Sequence, residues 1–117
     1  MDNDSLAQGF AAAYFHDSRI NTKELRRRYR EDSLLTVEGT QVTGLSNIEE
    51  KLASFFDNTQ THNIRTVWQP SENNILVVVT GSMAAGSERG IPVSHTFFLK
   101  LETMTVYVRN HVIALIV

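Results

Sequence analysis

The chain has 117 residues, of which 42% are hydrophobic and 21% are charged, and its formal net charge is −2. This composition excludes a disordered chain and predicts a single globular domain over residues 1–117. The slightly acidic balance gives no general attraction to nucleic acid or to an anionic membrane surface, so we expect neither as a partner. The absence of cysteine excludes disulfides, thiolate metal ligands and thiol catalysis.

No targeting or membrane segment is expected either. Residues 1–5 are polar and acidic, unlike the basic start and apolar stretch of a secretory signal. The longest apolar run, 112–117, has the length of a strand and falls far short of the roughly 20 residues that span a bilayer.

Three helices are predicted in the first half of the chain. Ser5 is placed to cap the first helix, and Asn21 to cap the second, with Glu24 at the spacing of a capping box. The third helix follows the glycine at position 44, where Ser46 and Glu49 repeat that spacing. The apolar positions that recur at helical spacing are Leu6, Phe10, Tyr14, Leu25, Tyr29, Ile48, Leu52 and Phe55.

The rest of the chain is rich in Val, Ile, Thr and aromatic residues, which favours strands. The predicted strands are 33–37, a short return through Val42, 64–68, 75–83, 93–101 and 106–117. Helices followed by consecutive strands predict an α+β domain with the helices on one face of an antiparallel sheet. Segments 76–79 and 96–99 are apolar on both faces, so the second face also needs a cover. A two-fold homodimer, sheet against sheet, would supply it.

Catalytic chemistry finds little support in the sequence. Ser94 and His95 are neighbours on a predicted strand, so their side chains point to opposite faces and cannot act as a pair. The nucleophile-elbow, Walker-type and dinucleotide-binding glycine patterns are all absent from the sequence. His62, His95 and His111 are interpreted as separate surface or hydrogen-bonded residues rather than as a metal site.

The charged clusters have ordinary explanations. The carboxylate pairs at 31–32 and 49–50 lie beside helix ends, where capping and solvation account for them without acid–base catalysis. The basic run 26–28, with Arg30, would spread around most of an α-helix and is flanked by acidic residues. We therefore interpret it as a solvated helix surface rather than a nucleic-acid patch.

The order of segments resembles the nuclear transport factor 2 family. The matching positions are Phe10, Tyr14, Phe15, Leu25, Tyr29, 33–39, Gly44, 48–52, His62, 69–70, 79–81, 97–100 and Asn110. The resemblance covers nearly the whole chain, and residues 38–52 are its most specific part because they match without gaps.

This resemblance implies a cone-shaped α+β fold. Three N-terminal helices pack on a strongly curved antiparallel sheet, which encloses an apolar cavity and dimerises through its other face. It also implies a non-enzymatic carrier without a cofactor or a metal. Its partners would be the GTPase Ran in its GDP form and the phenylalanine-glycine repeats of nuclear pore proteins. It would act in the cytoplasm, in the nucleus and at the pore complex.

The resemblance also assigns the site. In the family an aromatic side chain of Ran enters the cavity, and acidic residues at the rim pair with basic side chains of Ran. The cavity positions here would be Val37, Met83, Ala85, Ile91 and Ile113. Glu38 and Glu88 match rim carboxylates, and Gly86 stands in place of another. Two alternatives remain: the small subunit of a heterodimeric messenger-RNA export receptor, and a cavity enzyme of the same fold. The apolar cavity positions, with no acid–base pair expected to point inward, disfavour the enzyme.

Overall fold

The computed structural model describes residues 2–86 and 89–116. Within these ranges the helices are α1 (Asn3–Ile20), a 3₁₀ helix (Thr22–Arg28) and α2 (Leu45–Phe55). The strands are β1 (Tyr29–Val37), β2 (Thr40–Thr43), β3 (Gln60–Ser71), β4 (Asn74–Ala84), β5 (Ile91–Leu101) and β6 (Val106–Leu115). The predicted α+β class, with three helical segments on a curved sheet, is confirmed.

The first two helices differ in detail from the prediction. Helix α1 begins earlier than expected, because Asp2 is the N-cap and its carboxylate accepts a hydrogen bond from the backbone N–H of Ser5 at 2.7 Å. The capping role predicted for Ser5 is therefore wrong. Asn21 does cap the second segment, by accepting from the N–H of Lys23 at 3.1 Å. That segment is a 3₁₀ helix, and Tyr29, predicted to lie on its buried stripe, belongs to β1 instead.

The start of α2 is capped from another element. Gly44 is its N-cap residue, with a φ of 86° that favours glycine. Glu31 of β1 accepts a hydrogen bond from the backbone N–H of Leu45 at 3.3 Å. Ser46 lies inside the helix, so the capping box predicted for it is wrong: a carboxylate distant in sequence takes its place.

The six strands form one mixed sheet in the order β2-β1-β6-β5-β4-β3. Neighbouring pairs are antiparallel except β1 and β6, which run parallel, so the prediction of a purely antiparallel sheet is wrong in this one pairing. Strands β3 to β6 follow one another through short reversals. The pairing of β1 with β6 joins strands about 75 residues apart in the chain, and local turn signals carry no information about its direction.

The helices cover the inner face of the sheet. Polar contacts tie α1 to β3: the indole of Trp68 donates to Asp4 at 2.9 Å, and the amide of Gln8 donates to the carbonyl of Thr66 at 3.2 Å. The core between them is aromatic and aliphatic, with Tyr14, Leu25, Leu35, Ile48, Leu52, Ile75, Phe97 and Leu99 fully buried. In the described ranges, no helix has both the length and the apolar character that a membrane crossing requires.

A close backbone approach at Gly81 gives a first testable prediction. A Cβ added there would lie 2.9 Å from the carbonyl oxygen of His62, where the register of β3 against β4 shifts. Backbone cannot move away as a side-chain end can, so Gly81→Ala should lower the free energy of unfolding by about 1–3 kcal/mol. Urea denaturation measures this.

Gly9→Ala is the matched control, because nothing lies within 4 Å of a Cβ added at that position in α1. This variant should be stabilised by about 1 kcal/mol, since alanine favours a helix over glycine. If the Gly81→Ala protein were as stable as the unsubstituted chain, the backbone of β3 would be able to move away from the added Cβ, contrary to this prediction.

Candidate functional site

The strand directions bring most of the predicted site residues to one end of the sheet. Because β1 and β6 are parallel, their last residues lie together, and Val37 pairs with Ile113. The end of β4 and the start of β5 lie at the same end, where Met83 pairs with Ile91. Ala85 follows directly after β4. We call this group, with Glu38, the site end of the sheet.

These residues differ in how far a partner can reach them. Val37 and Ile113 are buried in the core. Met83 and Ala85 are half-buried, and Ile91 is 41% exposed. The exposed part of the site end is thus apolar around Ile91, with the two buried residues beneath. That all five line a cavity open to a partner stays a prediction.

Glu38 lies at the edge of this group in a tight turn. Its φ is 47°, and its backbone N–H donates to the carbonyl of Ile113 at 3.0 Å. Its carboxylate accepts a hydrogen bond from the backbone N–H of Leu115 at 2.6 Å. The side chain is exposed, and a carboxylate offers about four acceptor positions, so this bond orients the group and leaves it able to bind a cation.

The other predicted rim positions, 86 and 88, follow Ala85 in the chain. Gly86 is exposed with a φ of 59°, whereas Glu88, the other predicted rim carboxylate, lies outside the described residues. A cleft of about 430 Å³ opens beside Gly86. It is lined by Ser18, Arg19, Phe56, Asn58, Thr59 and Gln60. This largely polar cleft is a different feature from the apolar cavity that the sequence predicts.

The interior of the sheet holds a hydrogen-bonded chain of four buried side chains. The hydroxyls of Tyr14 and Tyr29 lie 2.6 Å apart, and the hydroxyl of Tyr29 lies 2.8 Å from Nδ1 of His111. Nε2 of His111 lies 2.9 Å from Nδ1 of His95. A neutral imidazole has one donor and one acceptor nitrogen, so both rings must carry their proton on the same type of nitrogen. We call this group the Tyr–His chain.

Burial keeps both histidines of the Tyr–His chain neutral. Desolvation lowers the pKa of His95 from 6.5 to about 3. Desolvation, and then the neighbouring His95, lower the pKa of His111 well below its usual value. The same burial raises the pKa of both Tyr14 and Tyr29. A charge on any of the four groups is strongly disfavoured, so the chain is a neutral core network at ordinary pH.

This arrangement corrects two expectations. His95 and His111 meet inside the fold, although His62 stays exposed on β3, and the interior is therefore not purely apolar. The burial of His95 could have been predicted from the sequence, because side chains alternate between the two faces of a strand and His95 lies on the same face as Phe97. His111 is opposite Phe97 in the register of β5 with β6, which no local pattern reveals. Among the described residues, no group of three metal-ligating side chains forms.

The outer face of the sheet carries a row of side chains across four strands. Val67, Val78, Thr96 and Val112 are partners in successive register pairs from β3 to β6. Val67 and Val112 are 47% and 46% exposed. The neighbouring row adds Leu76 and Phe98, both half-buried. We call these residues the outer apolar face; they account for the strands that are apolar on both sides.

Helices on the inner face of a curved mixed sheet, above an interior with its own polar network, define a cone-like α+β class of proteins. Comparison with known proteins makes the assignment specific. Residues 6–114 match the nuclear transport factor 2 (NTF2) domain family. The chain is 35% identical to nuclear transport factor 2 of Kluyveromyces lactis, covering 98% of this chain and 95% of the relative. The chain belongs to the nuclear transport factor 2 family.

Solved structures agree with this assignment. Nuclear transport factor 2 from Cryptosporidium parvum superposes with a TM-score of 0.87 at 29% identity, covering 97% of this chain and 94% of that one. A chain in the C. albicans Mtr2–Mex67 M domain complex superposes with a TM-score of 0.75 at 13% identity, covering 97% and 94%. The second likeness shows a shared fold.

Proposed function

We propose that this protein is a nuclear transport carrier that binds Ran in its GDP form and phenylalanine-glycine repeats of nuclear pore proteins. It would move between cytoplasm and nucleus and act at the pore complex. Membership of the family across nearly the whole chain supports this role, and the relatives are named transport factors rather than enzymes. The observation that carries the Ran site is the oriented carboxylate of Glu38 beside the apolar site end.

The chemistry of the site end suits an aromatic anchor with a basic neighbour. Ile91, Met83 and Ala85 offer apolar contact, and such contact excludes water and supplies affinity. Glu38 stands beside them as a charge that selects and orients a basic side chain. Glu88 would be a second such carboxylate. The interior Tyr–His chain is buried and neutral and takes no part in partner binding in this proposal.

The protein would act as a homodimer joined through the outer apolar face. Exposed valines in the middle of a sheet face are costly to leave in water, and an identical face supplies a matching surface by two-fold symmetry. This arrangement leaves the site end free, because the site residues lie at the end of the strands and the dimer contacts lie on the outer face.

The test is a calorimetric titration of the protein with Ran loaded with GDP and, separately, with GTP. We expect binding to the GDP form alone, and we expect Glu38→Lys to lower the affinity at least about a hundredfold because it replaces an attraction by a repulsion. The same change removes the bond to the N–H of Leu115 and should cost about 1 kcal/mol of stability.

Two controls separate charge from structure. Glu38→Gln keeps an acceptor for Leu115 but removes the charge, and it should bind Ran less tightly than the unsubstituted chain while unfolding at nearly the same temperature. Glu72→Lys reverses an exposed charge in the turn between β3 and β4, at the opposite end of the sheet from the site end, and should bind normally. Undiminished binding by Glu38→Lys would remove Glu38 from the site. If Ran binds in neither nucleotide state, the small subunit of an export heterodimer becomes the better candidate, and pairing with a larger partner would support it.

A further inference from the structure

A second charged surface lies at the other end of β1. A cleft of about 360 Å³ opens between the 3₁₀ helix, the start of β1 and the start of α2. It is lined by Lys23, Glu24, Arg26, Arg27, Tyr29, Arg30 and Leu45, and we call it the basic cleft. Four cations face one carboxylate there, although the chain as a whole has a net charge of −2. Positive charge is thus concentrated locally in an acidic protein.

The 3₁₀ geometry aligns two of these cations, and β1 adds Arg30. A 3₁₀ helix has three residues per turn, so residues three apart lie in the same row. Lys23 and Arg26 form one outward row, and Arg27 lies in the next row, above Glu24. The third row, Thr22, Leu25 and Arg28, points inward, and Leu25 is fully buried. Arg26, Arg27 and Arg28 therefore still spread around the helix, as the sequence predicts, and the structure corrects only the type of helix.

The arginine of the inward row, Arg28, is paired within the protein. Arg28 donates two hydrogen bonds to one carboxylate oxygen of Asp17, at 2.8 and 3.2 Å, in a partly buried pair. Its guanidinium also lies 5.8 Å from the ring centroid of Phe10. This arginine secures the 3₁₀ helix to α1 and does not belong to the cleft surface.

The remaining cations are only loosely neutralised. Arg27 pairs with Glu24 at 3.2 Å and Arg26 with Glu49 at 3.8 Å, and all four side chains are substantially exposed, so these pairs contribute little. Across residues 2–86 and 89–116, no carboxylate oxygen lies within 4.0 Å of a cationic nitrogen of Lys23 or Arg30. The cleft therefore has cationic groups available to a partner.

Arg30 is held in place without a counter-charge. Its guanidinium lies 4.9 Å from the ring centroid of Tyr107, and it donates to the carbonyl of Tyr29 at 3.3 Å. An aromatic face and a carbonyl orient the group, and they leave its net charge uncompensated. A guanidinium ordered in advance loses less freedom when it binds a carboxylate.

We propose that the basic cleft binds an acidic segment of a partner protein. Separate carboxylates on a short peptide match cations grouped in a small cleft, and arginine binds carboxylate with two parallel hydrogen bonds. RNA fits less well, because a continuous phosphate backbone would pass the carboxylate of Glu24, whereas the separate carboxylates of a peptide can lie to either side of it. The nearby rings of Tyr29 and Tyr107 are buried and do not offer a surface for base stacking.

The cleft is separate from the proposed Ran site. Tyr29 begins β1 and Val37 ends it, so the two surfaces are roughly 25 Å apart along the strand. A carrier with both surfaces can hold an acidic partner while Ran occupies the site end. This proposal does not depend on Ran binding, and the two can fail independently.

The test is fluorescence anisotropy of a labelled oligo-glutamate peptide titrated with the full chain at low salt. Lys23→Gln with Arg30→Gln removes the two cations without a carboxylate partner and should weaken binding about tenfold. If the first variant does not fold once Arg30 loses its contact with Tyr107, a second variant that replaces exposed side chains only takes its place. This variant, Lys23→Gln with Arg27→Gln, should lose a similar amount of affinity for the peptide. Added salt should weaken binding by the unsubstituted chain.

The matched control is Arg19→Gln with Arg65→Gln, which removes two exposed cations outside the cleft and should change the affinity less than about twofold. Equal losses in the cleft variants and this control would overturn the proposal, because they would show a general charge effect. Absence of peptide binding would also overturn it, as would binding of single-stranded oligouridylate in place of the peptide.

Discussion

The free energy of unfolding is expected to fall steeply with acidification below about pH 6.5. The reason is the pair of buried histidines in the Tyr–His chain. In the folded protein both stay neutral, with the pKa of His95 lowered to about 3 and that of His111 well below 6.5. In the unfolded chain both rings protonate with a pKa of about 6.5. The unfolded state therefore binds more protons over this range, and stability is lost as the pH falls.

The expected size is large for a domain of this length. Each histidine contributes a slope of about 1.4 kcal/mol per pH unit once the pH is well below 6.5, so the pair lowers the free energy of unfolding by roughly 4 kcal/mol at about pH 5. A whole domain is stable by only about 5–15 kcal/mol. Urea unfolding at a series of pH values measures the slope.

Variants test whether His95 and His111 cause this pH dependence of the free energy of unfolding. His95→Leu removes one of the two rings, so the pH dependence should become shallower even though His111 loses its partner. His62→Gln removes an exposed ring and should leave the acid sensitivity in place. Ring resonances in NMR spectra give an independent measurement that needs no variant. Protonation of both His95 and His111 near pH 6.5 in the folded protein would contradict the prediction.

Val112→Glu is expected to convert the protein from dimer to monomer. Val112 lies in the central row of the outer apolar face and is 46% exposed in the single chain, so the monomer tolerates a carboxylate there. In the proposed sheet-to-sheet dimer the same position is buried, and each subunit would bring an unpaired charge into the interface. An uncompensated buried charge costs about 3–5 kcal/mol, which corresponds to a weakening of roughly a hundredfold or more.

Sedimentation equilibrium measures the dissociation constant of both proteins. Ile20→Glu makes a comparable change at a residue that is 72% exposed at the end of α1, away from the outer apolar face, and this variant should remain dimeric. The circular dichroism spectra of both variants should match that of the unsubstituted chain. A monomeric unsubstituted protein, or a dimer unaffected by Val112→Glu, would show that another contact covers this face.

The resemblance to the family predicts a site built from residues that are distant in the chain. Val37 and Glu38 lie in a matching segment, Ile113 stands where the family has an aromatic residue, and the structure brings the three together at the ends of two parallel strands. What a family pattern does not contain is burial. Val37 and Ile113 are core residues here, and Glu38 bonds to the backbone of β6, so their exposure depends on how the strands pack.

The sequence alone determined the features that depend on local periodicity and composition. Segments rich in Val, Ile, Thr and aromatic residues gave the strands, and spacings of three and four gave the two α-helices. Asn21 was a correct cap because capping needs only neighbouring backbone groups. Such signals survive in a single sequence because the interacting groups are close along the chain.

Only the tertiary structure decided the features that join distant segments. The parallel pairing of β1 with β6 brings Tyr29 to His111, and the hairpin of β5 with β6 brings His111 to His95. The cap on α2 comes from Glu31, and the basic cleft forms where the 3₁₀ helix meets the starts of β1 and α2. Each depends on register or packing between segments, and these are set by burial of the whole core rather than by any local pattern.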